Sequence, residues 1–285
     1  MTKKRNEDTD EIFTVHDSRL TNHEALALNE SRGADHEALG ADVLEGGVRF
    51  RAWAPKRQRV DVWLEDIEKA VPLQKDDRGY FTGLIPEAEA GMRYRYRLDG
   101  ESLLPDPCSR YQPEGPHGPS LIVDPRRYAW HDGEWPGVRM PGQVIYELHI
   151  GTFTPDGTFD AAIRELDGLK ELGITLIEVM PVGEFPGRWN WGYDAVDLYA
   201  PAHVYGDADA FKRFVDAAHA RGLGVILDVV YNHLGPDGNY LTSYSDDYFT
   251  DRYRNDWGVL YSERVLLDRR VSRGWIADRC DAGYP

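Results

Sequence analysis

The stretch from Gly222 to His233, GLGVILDVVYNH, limits what this chain can fold into more than any other. Gly222 ends the preceding helical pattern, and Val225, Ile226, Leu227, Val229 and Val230 make an apolar run interrupted only by Asp228. A run without alternation reads as a strand buried on both faces, the environment of a parallel sheet. Parallel neighbours need crossover connections, which commits the chain to strand–helix–strand units. Asp228 inside the run, with Asn232 and His233 at its carboxyl end, resists a packing explanation, because a buried charge needs partners or a chemical role. Taken alone, these residues also fit a paired structural Asp followed by a turn-forming Asn.

The required units lie upstream. Val144–Leu148 reads as a strand leading to His149 and Gly151. Thr158 then fits the N-cap of a helix with apolar face Phe159, Ala162, Ile163, Leu166, Leu169 and Leu172, closed by Gly173. A second buried strand, Ile174–Val179, completes a right-handed βαβ unit. The connection from Met180 to Asp207 carries PVGEFPGRWNWGYD and is far longer than usual, which is the mark of a functional loop. Phe211, Phe214, Val215 and Ala218 give the next helix its face.

Residues 1–42 are rich in Asp, Glu, Asn and His with no sustained period, and read as a flexible acidic leader. Between 43 and 124 the pattern changes to short alternating segments, GGVRFRAWAP, RVDVWL, GYFTGLIP and MRYRYRL, the last with apolar residues on one face and three Arg on the other. That pattern predicts a small antiparallel β-sandwich. Four prolines and two glycines in DPCSRYQPEGPHGPS, Asp106 to Ser120, exclude a regular element and predict a crossing or docking segment. Residues 125–257 hold the βαβ units; after Gly258 the apolar periodicity fails, so 258–285 reads as an aberrant tail.

A formal net charge of -16 disfavours nucleic acid and anionic membranes as partners and suits neutral ligands. Eight Trp and sixteen Tyr leave aromatic faces to spare for stacking on sugars, although most belong in cores and turns. Two cysteines make no disulfide framework, and the amino terminus has no apolar leader, so a cytoplasmic protein is expected.

The Asp-x-x-x-Asn-His arrangement of Asp228, Asn232 and His233 resembles the first signature of the α-amylase superfamily, glycoside hydrolase family 13. Phe50–Pro55, FRAWAP, is similar to the start of the starch-binding-type module of branching and debranching members. The connector resembles that of the malto-oligosyltrehalose trehalohydrolase branch and differs from that of glycogen branching enzymes, which share the NWGYD loop and the DVVYNH strand. The resemblance, over roughly Val48 to Trp257, implies an immunoglobulin-like β-sandwich followed by the first three β/α units of a (β/α)8 TIM barrel. It implies maltooligosyl-trehalose or another α-glucan as substrate, with no cofactor and no metal, although Asn232 matches a calcium position of many α-amylases. By the same resemblance Tyr193 stacks on the sugar, Asp228 orients the site, His233 bonds a sugar hydroxyl, and Trp191, with Trp189, flanks the mouth. Loop-anchoring aromatics fit the two Trp equally well.

Retaining members use two carboxylates about 5–5.5 Å apart, and a third acid, from the ends of strands four, five and seven. Those three catalytic acids are expected to lie beyond this segment, which implies an inactive chain or a glucan-binding fragment. Reading permitted codons for Val271–Pro285 one nucleotide later gives YRVDGLRIDATQAI, similar to the family's strand-four signature, so the tail is expected to be frame-shifted.

Overall fold

A computed structural model describes residues 38–230, 233–250 and 266–267 of the protein. The expected leader lies almost wholly outside them, as do Asn232 and nearly all of the tail. The first strand, β1 (Gly40–Leu44), starts inside the predicted leader, and Leu39 and Ala41 are already core residues. The alternation therefore begins before Val43, where the sequence reading placed it.

The predicted sandwich is present as two antiparallel sheets. One carries β1, β2 (Gly47–Trp53), β5 (Gln74–Lys75) and β6 (Tyr80–Ile85) in the order β1-β2-β6-β5. The other carries β3 (Val60–Leu64), β4 (Lys69–Pro72), β7 (Arg93–Leu98) and β8 (Leu103–Leu104) in the order β4-β3-β7-β8, with β9 (Ser120–Leu121) also on β7. The alternation in β7 is realised: Tyr94, Tyr96 and Leu98 are buried, while Arg93, Arg95 and Arg97 turn outward to Asp66, Glu65 and Asp61. Asp61 is itself fully buried and also takes Arg59, so this charge is paired twice.

The connector docks. Asp106 accepts the Tyr94 hydroxyl at 2.6 Å and the Cys108 N–H at 2.8 Å, and the Tyr111 hydroxyl reaches Gly206 O at 3.0 Å. The sandwich core does not stop at residue 124. Tyr199, Leu234, Leu241, Tyr244 and Tyr248 come from far along the chain into the same apolar cluster as Phe50, Val62 and Tyr94. The Tyr244 hydroxyl donates to Pro105 O (2.7 Å) and the Tyr248 hydroxyl to Trp53 O (3.1 Å).

The second core is built on β10 (Ile145–Leu148), β11 (Leu176–Val179) and β14 (Gly224–Leu227), parallel and in the order β10-β11-β14. Helices α1 (Ile150–Phe153), α2 (Phe159–Ile163) and α3 (Leu166–Leu172) fill the first crossover, and α4 (Ala210–Ala220) the second. Thr158 caps α2 as expected, accepting the Ala161 N–H at 3.2 Å, and Gly173 ends α3 at φ +94°. The single predicted helix is two, because Arg164 and Glu165 bond back three residues to Ala161 and Ala162. That tightened turn changes the phase, and Leu172, expected on the apolar face, is 72% exposed.

The segment before β10 lies along α4. Asp216 accepts from the Tyr128 hydroxyl, the His131 N–H and the His131 ring, while His219 pairs with Asp132 and stacks under Trp135. The long loop after β11 is not structureless. It folds as a hairpin of β12 (Gly183–Glu184) and β13 (Asp197–Pro201), followed by a 3-10 turn, His203–Tyr205. The expectation for β14 is corrected: the strand ends at Leu227, its residues 225–227 are half-buried, and Val229 is 41% exposed. It is the outer strand of three among the described residues, so no neighbour encloses it there. Past it, α5 (Leu241–Tyr244) enters the sandwich core. Phe249–Thr250 pairs antiparallel with Leu266–Leu267.

Candidate functional site

The three parallel strands end together. Leu148, Val179 and Leu227 are in register, and the ladder runs one residue further, Met180 N–H to Leu148 O at 3.0 Å and Asp228 N–H to Val179 O at 2.9 Å. Asp228 is thus the first residue past its strand, half-buried at the carboxyl edge, rather than inside the strand. In parallel sheets this edge is where ligands bind, because the loops that follow the strands converge there.

The hairpin tip rises from the same edge and is held firmly. His149, the first residue after β10, donates from Nε2 to Asn190 O at 2.7 Å; a carbonyl can only accept, so the proton sits on Nε2. That leaves Nδ1 to accept the Thr152 hydroxyl at 3.3 Å, and places Nε2 3.4 Å from the Tyr205 hydroxyl. Asn190 Oδ1 takes the Gly192 N–H at 2.6 Å. Gly192 has φ +99°, and a Cβ there would stand 2.9 Å from Pro181 O. The position needs glycine both for its backbone and for the close approach.

On this pinned turn Trp189, Trp191 and Tyr193 are 66%, 83% and 42% exposed. Arg188 lies 5.1 Å from the Trp189 ring centre. Three open aromatic faces within five residues are a stacking surface. The loop carrying His233 joins it: Gly235 N–H bonds Ala195 O at 2.9 Å, and a Cβ on Gly235 would stand 2.2 Å from Asp194 O. Two residues from each side of that contact are Tyr193 and His233. Tyr193, Trp191, Asp228 and His233 therefore belong to loops that meet at one edge; Asn232 lies outside the described residues.

The sequence reading gave no site role to three residues that build this edge: His149, Asn190 and Glu184. Glu184 is fully buried. Burial pushes its carboxyl above the usual range, against the lowering effect of hydrogen bonds from the His203 N–H and ring and the Phe185 N–H. Its only sequence signal was a Glu in an otherwise apolar stretch, PVGEFP. Tyr205 is pushed up to about 12 by burial and then by the Glu184 charge. Among the described residues no three His, Cys, Asp or Glu side chains come together as a metal-ligand set. No helix among them is long and apolar enough to cross a membrane.

The sandwich thus leads into βαβ units with an aromatic loop at the strand ends. The chain belongs to the α-amylase family: residues 123–274 match the family described as Alpha amylase, catalytic domain, and residues 38–125 match Carbohydrate-binding module 48, the isoamylase N-terminal domain. The catalytic-domain match runs past Trp257, where the motif reading stopped.

It is similar to malto-oligosyltrehalose trehalohydrolase of Saccharolobus solfataricus, 48% identical over 219 residues that cover 76% of this chain and 38% of the relative. It is also similar to 1,4-alpha-glucan branching enzyme GlgB 2 of Xanthomonas euvesicatoria, 36% identical over 70% of this chain and 29% of that enzyme. A crystal structure described as an alpha amylase from Salmonella typhimurium superposes with a TM-score of 0.79 at 42% identity, over 86% of this chain and 41% of that one. The chain thus spans well under half the length of the relatives it matches.

Proposed function

We propose that this chain is the sandwich and the first three β/α units of a malto-oligosyltrehalose trehalohydrolase, whose reaction is hydrolysis of the α-1,4 bond next to the trehalose end of a maltooligosyl-trehalose. The observation that carries this reading is the 48% identity to a trehalohydrolase, against 36% to a branching enzyme. The docked connector, with its buried Asp106, Ser109 and Gln112, supports the same choice. Tyr193 and Trp191 stack on the glucan, Asp228 orients the strand-end edge, and His233, with Asn232, bonds sugar hydroxyls. Two cysteines and an acidic composition support a cytoplasmic setting.

Bond cleavage in this family takes a nucleophile, an acid and a third carboxylate from later strands, and subsite contacts alone do not replace them. In this reading the polypeptide binds glucan through the strand-end contacts. It is expected to be retarded on immobilised amylose and by maltoheptaose titration to bind without releasing trehalose or forming α-1,6 branches. Tyr193→Ala is expected to weaken binding about fivefold to tenfold, the worth of one stacking face. Free passage through amylose would refute the binding role; trehalose above a blank would refute the division of labour, and new branches would favour the branching enzyme.

A further inference from the structure

Glu184 ends the first strand of the hairpin whose tip carries Trp189, Trp191 and Tyr193. Its Oε2 accepts the His203 N–H at 2.8 Å, and its Oε1 accepts the Phe185 N–H at 3.1 Å and the His203 Nδ1–H at 2.9 Å. His203 opens the turn that follows β13, so one buried carboxylate ties the two ends of the hairpin base together. The same turn presents Tyr205, whose hydroxyl is 3.4 Å from His149 Nε2, the atom that holds Asn190 O in the tip. The carboxylate thus acts on the base directly and on the tip through Tyr205 and His149.

Three hydrogen bonds do not repay the burial, since the Glu184 carboxyl stays weaker than an ordinary one. A charge placed at a net cost to stability is characteristic of functional sites. We propose, on the basis of the glucan-binding reading, that Glu184 and His203 are positioning residues for the sugar-stacking tip.

The test measures amide hydrogen exchange of residues 186–195 alongside maltoheptaose affinity at neutral pH. Glu184→Gln should exchange about tenfold faster in this segment and bind maltoheptaose about fivefold to tenfold more weakly. His203→Ala should do the same. His203→Asn, which keeps a donor near the Nδ1 position, should hold neutral-pH affinity within about twofold. If Glu184→Gln does not fold, the two His203 variants decide. Wild-type exchange in Glu184→Gln or His203→Ala would overturn the proposal. A wild type with no glucan affinity would defeat the glucan reading alone, because the exchange arm still reports whether the pair orders the tip.

Discussion

Gly192 shows how finely single residues fix the turn that carries Trp189, Trp191 and Tyr193. Alanine there would hold a left-handed backbone at φ +99° and push a methyl to 2.9 Å from Pro181 O, so the turn must shift. Gly192→Ala is expected to weaken maltoheptaose binding about tenfold while lowering stability by only about 1 kcal/mol, because the strain falls on an exposed tip. Fluorescence titration and thermal melting check the two halves; a variant with full affinity would show that the turn has no fixed form. At this scale the positions of Tyr193 in the loop after β11 and of Asp228 and His233 just past β14 were legible, because they sit in two short motifs, NWGYD and DVVYNH. Glu184 and His149 were not. Their partners, His203 and Asn190, stand 19 and 41 residues away, and nothing in local periodicity announces a contact made across a hairpin.

Among the elements, α4 is the one the sequence described best: Phe211, Phe214, Val215 and Ala218 are all buried, as their 3.6-residue spacing requires. Its polar side was not legible. Asp216 sits on that side, where burial would raise its pKa, but bonds from His131 and Tyr128 outweigh it and hold the carboxyl below the usual range. A depressed carboxylate stabilises the fold above its unfolded pKa, and that stability is lost as pH falls through the folded value. Asp216→Asn should therefore melt lower than wild type by about 2 kcal/mol at neutral pH. The gap should close below about pH 4. Equal melting temperatures at neutral pH would mean that the segment from Tyr128 to Trp135 adds nothing to α4. The helix before β11 and the strand β14 were read less well for a common reason: periodicity assumes an unbroken helix and a neighbour on each side. A turn of three-residue bonds at Arg164 and Glu165 breaks the first assumption, and the outer position of β14 breaks the second.

Across the whole molecule, β10 and β14 form the two outer edges of the parallel sheet among the described residues, and Val144, Ile145 and Val229 are exposed beside them. Open parallel edges with apolar flanks invite pairing between copies. The 285-residue polypeptide is expected to self-associate as concentration rises, and light scattering that reports a monomer throughout would contradict this. Both architectural parts were legible in the sequence, since a period of two gives way to βαβ units near residue 124, but their shared core was not. Tyr244 and Tyr248 carry no periodic signal in the sequence, yet they complete the sandwich, and Arg57 Nε closes onto Ser243 O at 2.8 Å. The bond from Tyr248 to Trp53 spans 195 residues. On the ribosome, at roughly 5–20 residues per second, the sandwich emerges and then waits on the order of 6–25 s for the aromatic residues that finish it. Throughout that interval its apolar rim faces the nascent-chain chaperones rather than its own partners.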